Sequence, residues 1–157
     1  MTDKLRVVVI GIDHPHGMGW RESLCHVANE LEITAIVPAF ENSLGSLEER
    51  LAKLPRFDSV ECLIEKRRDL FDAALVCLPN DKTLDTVIQL ALAGKHVLIE
   101  KPGVSNSKDA RRLAEAVRSS KVQFQSGFIW RYDELANRLK DMIKDGRFGR
   151  LISVEMT

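Results

Sequence analysis

The apolar residues of this chain form two patterns that alternate along its length. Continuous apolar runs, rich in valine, isoleucine and leucine, are typical of strands that are buried on both faces of a sheet. They predict strands over 5–10, 32–37, 73–79, 96–102 and 122–128. The stretches between them repeat apolar residues every three or four positions, which is helical spacing. These stretches predict helices over 17–31, 46–54, 60–68 and 84–93, and helices that begin at Ser107 and Asp133.

Strands that alternate with helices require crossover connections, and such connections produce a parallel sheet. We therefore expect an α/β fold with a doubly wound, mostly parallel, Rossmann-like sheet. Ser59 is expected to cap the helix that follows it, and Gly94 and Gly146 to end helices. The final segment, "GRLISVEMT", has the pattern of one further strand, whose pairing partner would have to follow Thr157. This pattern predicts that the chain is the first part of something larger.

Composition and charge narrow the class of protein. The 157 residues suit one compact domain, and 23 basic residues balance 23 acidic ones. This balance predicts no field that attracts nucleic acid or an anionic membrane. Three cysteines lie far apart without a C-x-x-C pair, which fits a reducing compartment. With no apolar run long enough to cross a bilayer and no signal peptide, we expect a cytoplasmic protein.

The loop after the first strand reads "GIDHPHG" over residues 11–17. Ligands of open parallel sheets bind beyond the carboxyl ends of the strands, so this loop is a candidate site. A dinucleotide-binding loop would continue as G-x-G-x-x-G, because its glycines let the backbone approach a pyrophosphate. Here Asp13 stands at the second glycine and His16 at the third. Gly17 can still supply close helix packing if the loop is one residue longer.

Three interpretations of this loop remain open. The favoured one is a degenerate dinucleotide loop, in which amides at the following helix start bind an anion, although Asp13 would repel phosphate if it pointed inward. The second is a purely structural turn. The third is a metal site, because Asp13, His14 and His16 have suitable ligand atoms. The metal interpretation is weak, since no fourth ligand is nearby and catalytic metals need a defined ligand set.

The end of the second strand leaves the form of a dinucleotide undecided. Such domains usually place Asp or Glu there, where it binds the ribose 2′-hydroxyl. In this chain Pro38 occupies that position, and the nearest acid is Glu41. No arginine follows immediately to bind a 2′-phosphate. The residues therefore leave both NAD and NADP open.

The strand over 96–102 ends in Glu100-Lys101-Pro102, at the same predicted edge of the sheet. Pro102 biases Lys101 away from helical conformation and holds the chain extended. A lysine here can hydrogen-bond hydroxyl groups and polarise a developing alkoxide or carbonyl. Glu100 can pair with it or tune its protonation. An exposed ion pair without function is the alternative for these three residues taken alone.

Four segments in the same order resemble the glucose–fructose oxidoreductase and inositol dehydrogenase family (Gfo/Idh/MocA). They are the opening strand, "DAALVCLPND", "ALAGKHVLIEKP" and "SGFIWRYDELANRLKDMIKDGRFGRLISVEM". The resemblance covers essentially the whole chain. It implies a nicotinamide-dependent oxidoreductase that acts on sugars, cyclitols or related hydroxy compounds. It also implies an N-terminal Rossmann domain followed by a second α/β domain, which this chain lacks.

The resemblance assigns roles to particular residues. Lys101 corresponds to the family's active-site lysine, Gly11 to the first fingerprint glycine, and Pro79-Asn80 to a pair beside the nicotinamide. Arg131 and Tyr132 are further candidates on the substrate side. We expect Lys101 and Glu100 to be catalytic. The candidate cofactor contacts are Gly11, Ile12, Asp13, His14, His16, Gly17, Leu78, Pro79, Asn80, Glu100 and Lys101.

The resemblance also suggests a division of the chain. Residues 1–125 would form the dinucleotide-binding domain, and 126–157 the junction helix and the start of the substrate domain. The expected function is hydride transfer between NAD or NADP and a polyol or sugar-like substrate, by a homo-oligomer. The alternative is a non-catalytic, truncated nucleotide-binding or dimerisation module, which the altered glycine loop favours.

Overall fold

A computed structural model of the protein describes residues 4–14, 16–40, 51 and 53–155. The chain divides into two compact units, 1–127 and 128–157. They are called the first and second unit below, and each is described separately. Glu41 and most of the helix predicted over 46–54 lie outside the described residues.

The first unit contains a parallel sheet of five strands in the order β2-β1-β3-β4-β5. The strands are β1 (Leu5–Ile10), β2 (Leu31–Val37), β3 (Ala73–Val76), β4 (His96–Ile99) and β5 (Phe124–Ser126). The first four strands begin within one residue of the predicted positions. The fifth, β5, begins at Phe124 rather than at Val122. The predicted parallel sheet is confirmed.

The strand order reverses between β1 and β3, and this is where open α/β sheets bind their ligands. A single parallel bridge joins Ile36 of β2 to Arg56 on the outer side of the sheet. Arg56 thus lies where a dinucleotide-binding sheet of order 3-2-1-4-5-6 has its third strand. The sheet therefore follows the Rossmann order, with one edge strand reduced to a bridge.

Helices cover both faces of the sheet, which makes the fold doubly wound. In the first unit they are α1 (Gly17–His26), α2 (Val60–Arg67), α3 (Asn80–Leu92) and α4 (Ser107–Ser120). Side chains of β1 alternate between the faces: Val7 and Val9 pack with Leu24 of α1, while Val8 and Ile10 pack in the core that contains α2, α3 and α4. Burial on both faces explains why the strands are continuous apolar runs.

Helix ends confirm most of the predicted caps. The Ser59 side chain accepts a hydrogen bond from the Cys62 amide, and Gly94 follows α3 with a φ of +72°. The cap at Ser107 was wrong, because Asn106 accepts the Asp109 amide one residue earlier. The predicted start at Leu84 was also wrong. Helix α3 begins at Asn80, because its polar first turn, which carries no apolar periodicity, is already helical.

The second unit contains a short 3₁₀ helix, Ile129–Arg131, and α5 (Glu134–Lys144). The Asp133 side chain accepts the Ala136 amide at 2.7 Å, as predicted for the start of this helix. Gly146 ends it with a φ of +71°. Residues 151–155 form no strand, contrary to the prediction, because a strand exists only when its backbone is paired. Among the described helices, none has the length and apolar character to span a membrane.

Candidate functional site

Four hydrogen bonds join the ends of all five strands in one row at the carboxyl edge of the sheet. The Gly11 amide donates to Val37 at 2.7 Å, and the Cys77 amide donates to Ile10 at 2.9 Å. The same pattern continues along the edge, from Glu100 to Val76 at 2.8 Å and from Gly127 to Ile99 at 2.9 Å. The candidate residues that follow β1, β3 and β4 are therefore fixed side by side along this edge, which includes the point between β1 and β3 where the strand order reverses.

Two glycines allow the loop after β1 to pass close to other backbone. Gly11 has a φ of +70°, and a Cβ there would overlap the carbonyl oxygen of Cys77. A Cβ at Gly17 would overlap the carbonyl oxygen of Ile12. Gly17 thus provides the close approach at the start of α1, one position later than the fingerprint glycine. These two glycines retain the backbone geometry that a phosphate-binding turn needs.

The histidines of this loop stabilise its turns. The amides of His14 and Gly17 donate to the carbonyl oxygens of Gly11 and His14, at 3.0 and 2.7 Å. The His16 amide donates to Nδ1 of His14 at 3.0 Å. Burial lowers the pKa of His14 and the neighbouring His16 lowers it further, against the opposing charges of Glu100 and Asp13. His14 is therefore neutral at pH 7, and its proton is on Nε2 because Nδ1 accepts.

Asp13 does not point toward the start of α1, where a phosphate would lie. Its side chain is only 6% exposed and reaches the segment after β2. There the carboxylate accepts the amides of Ala39 and Phe40 at 2.9 and 2.7 Å. The expected repulsion of phosphate depended on an inward orientation, which the structure does not show. The side chain instead joins the loop after β1 to the end of β2.

The segment after β3 leads directly into α3. Cys77 is buried, Leu78 and Pro79 are half-buried, and Asn80 is exposed as the first residue of the helix. Burial and the negative charges of Glu100 and Asp13 raise the pKa of the Cys77 thiol to about 11. This thiol is therefore protonated at neutral pH and is a packing residue rather than a nucleophile.

Glu100 and Lys101 separate at the end of β4. The Glu100 carboxylate accepts a hydrogen bond from the indole Nε1 of Trp20, on α1, at 2.6 Å. Lys101 is exposed, and its bond to Pro102 is cis. Among the described residues, no ion pair joins Glu100 to Lys101, so pairing, one of the two options for Glu100, is not seen.

The contact of Trp20 with Glu100 was not predicted from the sequence. The indole lies over Gly127, where a Cβ would come within 3.1 Å of both the ring and the carbonyl oxygen of Ile99. Gly127 therefore leaves the space that Trp20 occupies beside Glu100. The signal available in the sequence was the polar indole N–H, which usually has a partner when a tryptophan is partly buried.

A cleft of about 600 Å³ lies at the carboxyl ends of β1 and β2. Pro38, Ala39 and Phe40 line one side, and Leu78 lines another. The ring of Phe40 contacts His14 edge to face at 4.8 Å, so its amide and its ring are both held by the loop after β1. Phe40 is a second residue that sequence reasoning missed. The cleft has the size and mixed lining of a small-molecule site.

The remaining candidate residues and the second cavity lie outside the cleft at the ends of β1 and β2. Arg131 and Tyr132 are exposed in the second unit, and their substrate role stays a prediction. Within the described parts of the chain, no three His, Cys, Asp or Glu side chains are grouped as ligands of a metal. A separate apolar cavity of about 440 Å³ runs over the sheet face near α1, and it is lined by the amino-terminal ends of the strands rather than their carboxyl ends.

The chain is similar to known oxidoreductases. Residues 5–128 match the family model described as an oxidoreductase family with an NAD-binding Rossmann fold. Myo-inositol 2-dehydrogenase of Thermotoga maritima is 30% identical over 146 residues, which are 93% of this chain and 42% of the relative. The chain thus spans less than half the length of this relative.

Solved structures share the fold. Myo-inositol 2-dehydrogenase of Lactobacillus plantarum superposes with a TM-score of 0.78 at 25% identity, covering 96% of this chain and 44% of that one. The WlbA dehydrogenase of Bordetella pertussis, solved with NADH and UDP-GlcNAcA, gives 0.84 at 23% identity, covering 96% and 42%. The resemblance seen in the sequence is confirmed. The chain belongs to the Gfo/Idh/MocA oxidoreductase family, and it contains that family's NAD-binding Rossmann domain.

Proposed function

We propose that this chain is the cofactor-binding part of an NAD(H)-dependent oxidoreductase. Its substrate would be a polyol or sugar, oxidised or reduced at a hydroxyl-bearing carbon. The observation that carries the proposal is the position of Lys101. It is exposed at the end of β4, on the same strand-end row as the glycine turn at Gly11. Relatives named as inositol dehydrogenases support the substrate class.

The residues at this edge fit a dinucleotide. Gly11 and Gly17 let the turn pack closely against the backbone of Cys77 and Ile12, and Asp13 is turned toward β2. The cleft beside Phe40 and Leu78 offers a half-apolar place for the adenosine. Pro79 and Asn80, at the start of α3, would lie along the nicotinamide half. These are the positions that a Rossmann domain uses for its cofactor.

Lys101 is the proposed catalytic residue. A bound nicotinamide supplies or accepts the hydride. Lys101 would donate a hydrogen bond to the oxygen on the reacting carbon, stabilising the negative charge that develops there. Glu100 would act as a positioning residue, because its hydrogen bond to Trp20 fixes the backbone that precedes Lys101.

We also propose a domain division, an oligomeric state and a cellular location for this protein. Residues 1–125 would form the dinucleotide-binding domain, and 126–157 would lead into a substrate domain. Homo-oligomers would form, since α5 exposes an apolar stripe that includes Leu135 at 73% and Leu139 at 48%. The protein would work in the cytoplasm without nucleic acid, given its balanced charge and the free thiols of Cys62 and Cys77.

Calorimetric titration of the chain with NADH tests the binding half of the proposal. A turnover assay of a protein that also contains a substrate domain of the family, with NAD and a panel of polyols and sugars, tests the catalytic half. Saturable binding is expected. Lys101→Ala should lower turnover ~100-fold or more, the usual loss of one transition-state donor, while NADH still binds. Lys108→Ala, which removes an exposed lysine of α4, is the matched control.

Failure of NADH to bind the folded chain would overturn the proposal. Binding without turnover of any substrate would favour the alternative, a non-catalytic nucleotide-binding or dimerisation module. Normal turnover by Lys101→Ala would contradict the role of this lysine alone.

A further inference from the structure

We propose that Asp13 makes this site select NAD(H) over NADP(H). It does so by holding a carboxylate at the end of β2, where the ribose 2′ group of a dinucleotide is recognised. The inference rests on the proposed binding of NAD(H), and it adds the residue that excludes NADP(H).

The acidic residue that usually recognises the ribose 2′ group is absent from the end of β2. A Rossmann domain carries an acid at the end of β2, which binds the 2′-hydroxyl and excludes a 2′-phosphate. Here that position is Pro38, which has neither a carboxylate nor an amide proton. Asp13 comes from a different loop, yet its carboxylate lies against Ala39 and Phe40, the next two residues. The tertiary structure thus returns an acid to the end of β2.

The same contacts occupy the groups that a 2′-phosphate would use. Consecutive backbone amides are a common phosphate-binding arrangement. The amides of Ala39 and Phe40 both donate to Asp13, at 2.9 and 2.7 Å. A 2′-phosphate would have to displace this carboxylate or lie beside its charge. A 2′-hydroxyl requires neither.

The other charged residues of the cleft do not offset the repulsion between Asp13 and a 2′-phosphate. Arg56 and Lys82 line the cleft, but so do Asp58 and Glu61. Among the residues that the structure describes, the charges lining the cleft therefore balance, and Asp13 adds a buried negative charge behind them. His14, which contacts Phe40, adds no positive charge, because burial and His16 lower its pKa. The electrostatic balance at the end of β2 thus favours the cofactor without the extra phosphate.

Titration of the whole chain with NADH and NADPH tests the inference. The wild type should bind NADH at least ~10-fold more tightly, the effect of one partly screened charge. Asp13→Asn keeps the size of the side chain, removes its charge and leaves an oxygen acceptor for only one of the two amides. The preference should therefore fall ~10-fold, chiefly through tighter binding of NADPH. Asp85→Asn, at an exposed position of α3, removes the same charge away from the site and should leave the preference unchanged.

A second measurement does not depend on the folding of the variant. In competition with NADH, wild-type protein should bind 5′-AMP more tightly than 2′,5′-ADP, which places the preference at the 2′ position. Equal or tighter binding of 2′,5′-ADP or NADPH would overturn the inference, as would an unchanged preference in folded Asp13→Asn. Either result would leave NADH binding and the proposed role of Lys101 intact, whereas failure to bind NADH would overturn the inference and the proposed function together.

Discussion

Two carboxylates at the carboxyl edge of the sheet have different surroundings. Asp13 is buried and accepts two backbone amides from the segment after β2. Glu100 is half-buried and accepts one indole N–H from α1. The first joins two loops of the fold, while the second fixes one side chain beside an exposed lysine. In the sequence, both residues were candidates for the functional site. The comparison shows that the hydrogen-bond partners of each carboxylate determine its role.

Replacing Asp13 by alanine should give the largest effect. The change removes two charge-assisted hydrogen bonds and leaves the amides of Ala39 and Phe40 without this acceptor, so we expect a loss of about 3 kcal/mol in the free energy of unfolding. Urea unfolding followed by circular dichroism measures it. Asp85→Ala, at an exposed ion pair of α3, is the control and should cost at most about 0.5 kcal/mol. Equal losses in the two variants would show that the Asp13 contacts add nothing.

Trp20→Phe tests the other carboxylate and should give a smaller effect. Phenylalanine keeps most of the packing over Gly127 but loses the hydrogen bond to Glu100. We expect a loss of about 1 kcal/mol in the free energy of unfolding, because the half-buried carboxylate can still be hydrated. NADH affinity should also fall, since the backbone before Lys101 is less fixed. A loss as large as that of Asp13→Ala would contradict the distinction between the two carboxylates.

The smallest expected effect is a change in how the stability of the protein depends on pH, through His14 in the loop that carries Asp13. The pKa of His14 is lowered in the folded protein, so the unfolded chain binds its proton more readily. Stability should therefore fall as the pH drops below about 6.5, the unfolded pKa of histidine. His14→Asn keeps an acceptor for the His16 amide and removes the titration. Its stability curve between pH 7 and 5 should be flatter, and identical curves for the two proteins would contradict the assignment.

Much of the fold could be predicted from the sequence because burial on both sheet faces leaves continuous apolar runs. The strand over 5–10 was predicted at its observed bounds, and Ser59 and Asp133 were recognised as caps. These features depend on residues close together in the chain. The strand predicted over the final residues is not formed at 151–155, because a strand depends on a pairing partner from elsewhere in the chain.

The candidate site was predicted only in part. The sequence indicated which strand ends carry polar residues, and the sheet places those after β1, β3 and β4 on one row. It did not indicate that Glu100 binds Trp20, 80 residues away, rather than the adjacent Lys101. Nor did it show which way Asp13 points, because a single side-chain rotation separates the two directions.

The sequence by itself determined the strand–helix alternation, the glycine turn after β1 and the family resemblance, since each is a local pattern of residue types. The tertiary structure alone decided the partners of the charged groups. It brought Asp13 to Ala39 and Phe40, 26 and 27 residues further along, at the edge where Pro38 carries no acid. Hydrogen bonds between distant loops depend on strand order and register, and a one-dimensional pattern does not contain either.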